Sequence, residues 1–211
     1  MIKNSLIYRL TLLLSVLVLL PAAAQAQESK ASVRLWGELA PLASGEAGSG
    51  AGAPDYDDTF DTGIGGGGEF AWRFCRWFSG VAGIGYEVFG GDTYQGISFD
   101  DLEVVPVYAG GRFHLLPGAA PWDVYLRLDL GAAYLSSVDI SFRHLKGTYW
   151  DSSWVFLFGA GAGAEYRWGP WGVSFDVRAR YLDSPESNLG RPSEADGFWT
   201  VPVTVGLNYH F

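Results

Sequence analysis

Val201-Pro202-Val203-Thr204-Val205-Gly206-Leu207-Asn208-Tyr209-His210-Phe211 alternates apolar with small or polar residues up to an aromatic carboxyl terminus. In an extended chain this puts Val201, Val203, Val205, Leu207, Tyr209 and Phe211 on one face, and that face needs an apolar surface along its whole length. Nothing follows Phe211 to cover it. Hydrocarbon is the expected cover.

Working outward, the same period-two alternation recurs in eight segments, at 31–40, 60–73, 79–90, 103–115, 122–136, 153–168, 171–183 and 198–211. The connections at Cys75-Arg76, Leu116–Pro121 and Gly169-Pro170 are short. Those at 41–59, 91–102, 137–152 and 184–197 are long and rich in Gly, Ser, Pro and Asp. Short turns at one end and long loops at the other predict an all-β fold, an eight-stranded antiparallel up-and-down transmembrane β-barrel. VPVYAGGRFHL (105–115) also resembles VPVTVGLNYHF (201–211); the shared geometry of two like-directed barrel strands is enough to explain this, with an old internal duplication as the alternative.

The amino terminus reads as a processing signal at 1–26. Lys3 and Arg9 precede the apolar run Leu10–Leu20, and Ala24-Gln25-Ala26 has the small residues of a cleavage site. The barrel domain is then 27–211. The full chain has formal charge −9, so the mature domain carries about −11, which argues against a nucleic-acid partner. Cys75 is the only cysteine, so no intrachain disulfide can form.

Parity divides the strands into two faces. One carries Val33, Leu35, Leu39, Ile64, Phe70, Trp72, Ile84, Leu126, Leu128, Leu130, Phe156, Phe158, Phe175 and their neighbours, with no charge. The other carries Arg34, Glu38, Glu69, Arg73, Glu87, Arg112, Arg127, Asp129, Glu165, Arg167, Asp176, Arg178 and Arg180, interspersed with glycines such as Gly63, Gly83, Gly131 and Gly163. A soluble barrel would put the charged face in water. A solvated face has no use for that much glycine, which weakens a strand unless close packing calls for it. The interior of an eight-stranded barrel is only just wide enough for side chains, so long Arg and Glu must alternate there with small residues.

Two aromatic groups point the same way. Phe74, Trp77, Phe78, Trp122, Trp168 and Trp171 gather at the short turns. Phe89, Tyr94, Tyr149, Trp150, Trp154, Tyr181, Phe198 and Trp199 gather at the long loops. They are expected to form belts at the two bilayer interfaces.

On these residues, and above all on the terminal GLNYHF, the chain resembles the OmpA-like superfamily of small eight-stranded outer-membrane barrels, over essentially all of 31–211. That superfamily includes OmpX-, OmpW- and opacity-type proteins. The resemblance implies residence in the outer membrane of a Gram-negative bacterium, with outer-membrane lipid and lipopolysaccharide as surroundings. It also implies that Val205, Leu207, Tyr209 and Phe211 form the signal read by the outer-membrane assembly machinery. A monomer is expected. The resemblance leaves activity open, because the same barrel hosts anchors, adhesins, small channels and lipid-modifying enzymes.

The near-balanced interior charges are expected to pair into a plug, since an unpaired buried charge is costly; the alternative is an ion-selective pore. Arg127/Asp129, Glu165/Arg167 and Asp176/Arg178/Arg180 are candidate pairs along single strands. Pro106 and Pro202 each remove a ladder donor, which suggests either a lateral opening for small hydrophobic compounds or a simple adjustment of curvature. The loops hold fifteen acidic residues against Arg143, Lys146 and Arg191, densest at Asp55–Asp61. A solvated acidic loop fits this better than a Ca²⁺ site, because the spacing is not that of a calcium loop.

No enzyme, cofactor or metal centre is expected. The His-x-Ser-Asn signature of barrel lipid A deacylases is absent, since Leu145-Lys146-Gly147 follows His144. No Ser, His and acidic residues stand at a telling spacing. His114 and His210 are expected to make ordinary hydrogen bonds inside the barrel. The favoured role is a non-enzymatic barrel acting through its surface loops.

Overall fold

A computed structural model describes residues 30–49, 53–116, 121–142, 145–187 and 194–211. The signal segment, residues 117–120 of one turn, and the loop residues Arg143, His144 and Arg191 lie outside the described residues.

The first half of the chain supplies β1 (Ala31–Ala40), β2 (Leu42–Ser44), the one-turn α1 (Tyr56–Thr59), β3 (Gly63–Cys75) and β4 (Phe78–Phe89). Then come β5 (Thr93–Tyr94), β6 (Ile97–Phe99), β7 (Leu102–His114) and β8 (Trp122–Leu135). The second half supplies β9 (Val138–Phe142), β10 (Leu145–Asp151), β11 (Ser153–Trp168) and β12 (Trp171–Leu182). It ends with β13 (Glu186–Ser187), β14 (Phe198–Thr200) and β15 (Val203–His210).

The wall runs β1-β3-β4-β7-β8-β11-β12-β15, every neighbour antiparallel, and closes where β15 pairs back onto β1. Closure removes the free sheet edges that a membrane would not tolerate. The seam is the C-terminal strand itself. Leu207 pairs with Leu35 on one side and Val173 on the other, Tyr209 with Val33 and Trp171. Phe211 N–H donates to the Ala31 carbonyl at 3.0 Å. Among the described residues no helix is long and apolar enough to cross a membrane; the crossing is made by strands.

The geometry settles which face points outward. Leu128 and Leu130 are each 51 % exposed, and Leu35, Ile84, Phe156, Phe175 and Val205 are exposed with them. A continuous apolar exterior of this kind is a lipid surface. The charged face points in, with Glu69, Glu87, Asp129 and Asp176 buried. The glycines make room for it. A Cβ on Gly83 would lie 2.5 Å from the Tyr108 ring, and one on Gly163 would lie 2.8 Å from the Tyr125 ring.

Two details differ from the sequence expectation. The last wall strand is broken into β14 and β15 at Val201-Pro202, because Pro202 has no N–H to donate. Its register with β12 is unchanged across the break, and Arg178 N–H still donates to the Pro202 carbonyl at 3.0 Å. The second difference concerns the aromatic belt on the loop side. Phe89, Tyr149, Trp150 and Phe198 face inward and are buried. Of the expected belt Trp154 and Trp199 remain outward with Tyr181 tilted against Trp199, joined by Tyr86 and by Tyr134 tilted against Trp154. Strand-end parity decides this: Phe89 continues the inward series of Glu87, and Phe198 that of Thr200.

Candidate functional site

The interior has two zones. From the short-turn end to mid-barrel it is a lattice of ion pairs. Glu69, on β3, receives both Arg112 from β7 and Arg127 from β8, the latter at 2.8 Å, and accepts from the Tyr108 hydroxyl at 3.0 Å. Arg127 also pairs with Asp129 at 2.9 Å. Asp176 pairs with Arg34 across the β12–β15–β1 seam and accepts from the Tyr125 hydroxyl at 2.7 Å. Further toward the loops, Glu38 accepts from Arg178 at 2.8 Å and lies 3.3 Å from Arg180. Arg180 Nη1 donates to Glu87 at 2.6 Å.

All thirteen charged residues read as the interior set enter this lattice; Arg73 and Arg167, at the short-turn mouth, are the partly exposed ones. The pairing is only partly that of single strands. Arg127/Asp129 and Glu165/Arg167 pair along their own strands. Asp176, Arg178 and Arg180 instead find partners on other strands. Same-face neighbours on one strand stand about 7 Å apart, whereas an arginine stem reaches easily across so narrow a lumen.

At the loop end the interior turns apolar. Leu102, Val104, Leu135, Leu157 and Leu182 project inward and are buried. The segment Asp55–Asp61 lies on top of them as a cap. Asp55 caps α1 and its N–H donates to Asp58. That turn drops Tyr56 and Phe60 into the barrel mouth. Tyr56 stacks on Phe198 with ring centroids 4.4 Å apart and on Trp150 at 5.5 Å. Phe60 stacks on Trp150 at 5.8 Å, and Phe99 meets Tyr149 edge-on at 5.4 Å. The Tyr56 hydroxyl donates to the Asp196 carbonyl at 3.2 Å, and burial pushes its phenol well above the ordinary tyrosine range. The loops themselves form a five-stranded sheet, β13-β10-β9-β6-β5. The acidic stretch is therefore solvated on one side only; its carboxylates face water while its aromatics close the barrel. Composition showed the acids, and the alternating Tyr56/Phe60 partners came from distant loops.

Pro106 and Pro202 both face the interior and are buried. Beside Pro106 the β4–β7 ladder skips from Ile84↔Val107 to Glu87↔Val104. Trp36, buried on β1, fills the space within, close to Gly67, Gly85 and Pro106. Val205 and Leu207 face lipid, and Tyr209 contacts Trp171 and Phe211 by its ring. Cys75 is exposed at a short turn. Among the described residues no group of three His, Cys, Asp or Glu side chains is placed to hold a metal ion.

The short-turn mouth holds a constellation that the sequence did not disclose. Ser79 Oγ lies 2.7 Å from His114 Nε2, and His114 Nδ1 lies 2.9 Å from Asp123 Oδ1. Beside it, His210 Nε2 pairs with Glu165. Ser79 and His114 are 35 residues apart in sequence, and only the strand register brings them together.

Residues 11–211 match the family described as outer membrane protein beta-barrel domain. No curated protein matches the chain. Among solved structures it is similar to Neisserial surface protein A, with TM-score 0.55 and 11 % identity over 87 % of this chain and 98 % of that one. It is also similar to OprG from Pseudomonas aeruginosa, with TM-score 0.53 and 12 % identity over 88 % and 97 % of the two chains. Ail of Yersinia pestis follows, with TM-score 0.51 and 15 % identity over 88 % and 100 %. At these identities the likeness is one of fold, and the fold is the small barrel described above. The closed eight-stranded wall, the apolar exterior and the family match over 11–211 agree: this chain belongs to the outer membrane protein β-barrel domain family.

Proposed function

We propose that the protein is a sealed surface barrel of the Gram-negative outer membrane, acting by contact through its folded loop cap. The observation that supports this is the continuity of the filling. The Glu69–Arg112–Arg127 lattice passes into the Glu38–Arg180–Glu87 cluster, and the stacked Tyr56, Phe198 and Trp150 lie over that. Ion conduction needs weakly held sites in series, whereas these charges are buried and held in ion pairs. Lipopolysaccharide and the assembly machinery are its natural partners, the latter through Val205, Leu207, Tyr209 and Phe211. Ail has been solved with the heparin analogue sucrose octasulfate. The acidic loops here favour cationic or cation-bridged partners over such a polyanion.

Planar-bilayer recording of the refolded protein tests this reading. No steady open current is expected; a sustained conductance would refute the seal. The gap in the β4–β7 ladder beside Pro106 supports a second reading, a lateral route for small hydrophobic compounds. Uptake of such a compound into vesicles bearing the barrel, lost when the Gly85–Pro106 region is filled, would favour it.

A further inference from the structure

We propose that Ser79, His114 and Asp123 form a nucleophilic relay, directed at short acyl esters that enter from the short-turn end, the periplasmic end of such barrels.

The relay is a product of register. Ser79 on β4 stands directly across from Arg112 on β7, and His114 on β7 directly across from Tyr125 on β8. All face inward, so Ser79, His114 and Asp123 sit side by side on three adjacent strands. Asp123 accepts from His114 Nδ1 at 2.9 Å, which fixes the tautomer and leaves Nε2 to accept from the Ser79 hydroxyl at 2.7 Å. Both imidazole nitrogens are thus committed in the sense a general base requires. Arg73 and Arg167 also hold Asp123, at 2.9 Å and 2.5 Å, and Arg73 Nη2 lies 3.4 Å from His114 Nδ1.

The site is open to a small reactant. Ser79 and His114 line a cavity of about 20 Å³ at the short-turn mouth, room for roughly one water molecule. Arg112 lines the same cavity, and its Nε is buried without a hydrogen-bond partner among the described residues. A guanidinium lining the same cavity as the hydroxyl supplies positive charge toward a developing oxyanion. The enclosed space is no larger than a water molecule, so only the end of a short acyl group reaches Ser79 from the open side, and long acyl chains are excluded. Lys30, Arg73, Arg112 and Arg167 outnumber Glu165 among the charged groups lining it, which favours esters that carry negative charge.

In the reaction, Ser79 Oγ bonds to the acyl carbon while its proton passes to His114 Nε2. The ester C–O bond breaks, and the alkoxide leaves with that proton. Water then gives a proton to His114 Nε2 and bonds through its oxygen to the acyl carbon; the Ser79 Oγ–acyl bond breaks, Ser79 takes the proton back from His114, and the carboxylic acid leaves. Asp123 touches neither reactant and acts as a positioning residue.

The test uses the refolded full-length barrel in a Cys75→Ala background, so that the exposed thiol takes no acetyl group. With p-nitrophenyl acetate as probe, mass spectrometry should find one acetyl group on Ser79. Ser79→Ala and His114→Ala should abolish that adduct while keeping heat-modifiable migration, the gel shift of a folded barrel. Ser79→Cys retains a nucleophile should the alanine variant not fold, and should still be acetylated. Asp123→Asn should slow acetylation about tenfold or more, and Asp123→Glu should recover part of the rate. Acetylsalicylate, an anionic acetyl ester, should acetylate Ser79 faster at low salt than at high. An unlabelled Ser79 in a folded barrel that also releases no p-nitrophenolate above the Ser79→Ala background, or labelling and release unchanged in His114→Ala, would overturn the proposal. A salt-independent rate with acetylsalicylate would overturn the preference for anions.

Discussion

The two ends of the barrel interior fill the same narrow space with opposite chemistry. The half nearer the short turns is packed with guanidiniums and carboxylates held by wall strands, as in Glu69 between Arg112 and Arg127. The loop half is packed with rings and aliphatics, many of them delivered by loops, as in Tyr56 between Phe198 and Trp150. The difference lies in who supplies the side chains. Wall residues are fixed by register, so a charge there meets the same partners in every folded molecule. Loop residues must be ordered by packing, and stacked rings supply area and geometry together. The lattice should therefore stand or fall with the barrel, while the cap should loosen alone.

Glu69→Ala is the strongest way to break that contrast from below. It leaves Arg112 and Arg127 buried without their shared carboxylate, and a loss of about 3–5 kcal/mol is expected. Urea unfolding followed by heat-modifiable migration measures it; a loss under about 1 kcal/mol would mean the lattice contributes little.

Trp150→Ala attacks the cap. Truncating a buried ring of this size costs about 3–5 kcal/mol, here confined to the loops. Limited proteolysis should cut the loop sheet faster while the wall keeps its migration. A wall that unfolds as readily as in Glu69→Ala would show the two halves to be one unit.

Alkali should separate them by titration. Burial holds the Tyr56 phenol protonated in the folded cap, with its value raised above the ordinary 10.0. A group raised in this way contributes stability that is complete below its unfolded value. That stability is lost as pH climbs from there toward the folded value. Loop protection against protease should thus hold up to about pH 10 and fall above it, with the wall unaffected. Tyr56→Phe should flatten that dependence, and a fall of unchanged steepness would assign it to another group.

The smallest effect is at the helix cap. Asp55→Ala removes the capping partner of α1 and should cost about 1 kcal/mol, again only in the loops. Hydrogen exchange of the Asp58 and Thr59 amides measures it.

The sequence alone pointed to the membrane-spanning class, because glycines on the charged face and aromatic groups at the strand ends select between the two barrels that period-two alternation allows. Eight strands, their ends within a few residues, and the inward set Arg34 to Arg180 could all be read from parity. Phe89 and Phe198 keep the inward parity of Glu87 and Thr200, although nearness to an interface suggested an outward belt. Tyr149 and Trp150 stand on a loop strand, and their burial depends on which loops fold over the mouth.

Partners were decided only by the tertiary structure. Asp176 could be paired on paper with Arg178, but strand stagger and the reach of arginine give it to Arg34. Ser79, His114 and Asp123 carry no motif in the chain. They meet because β4, β7 and β8 are neighbours in one fixed register. The alternation that ends in Phe211 determined where this protein lives, because burial against lipid acts on each residue separately. What stands beside what inside the barrel was left to closure, since only a closed ring aligns side chains from strands far apart in sequence.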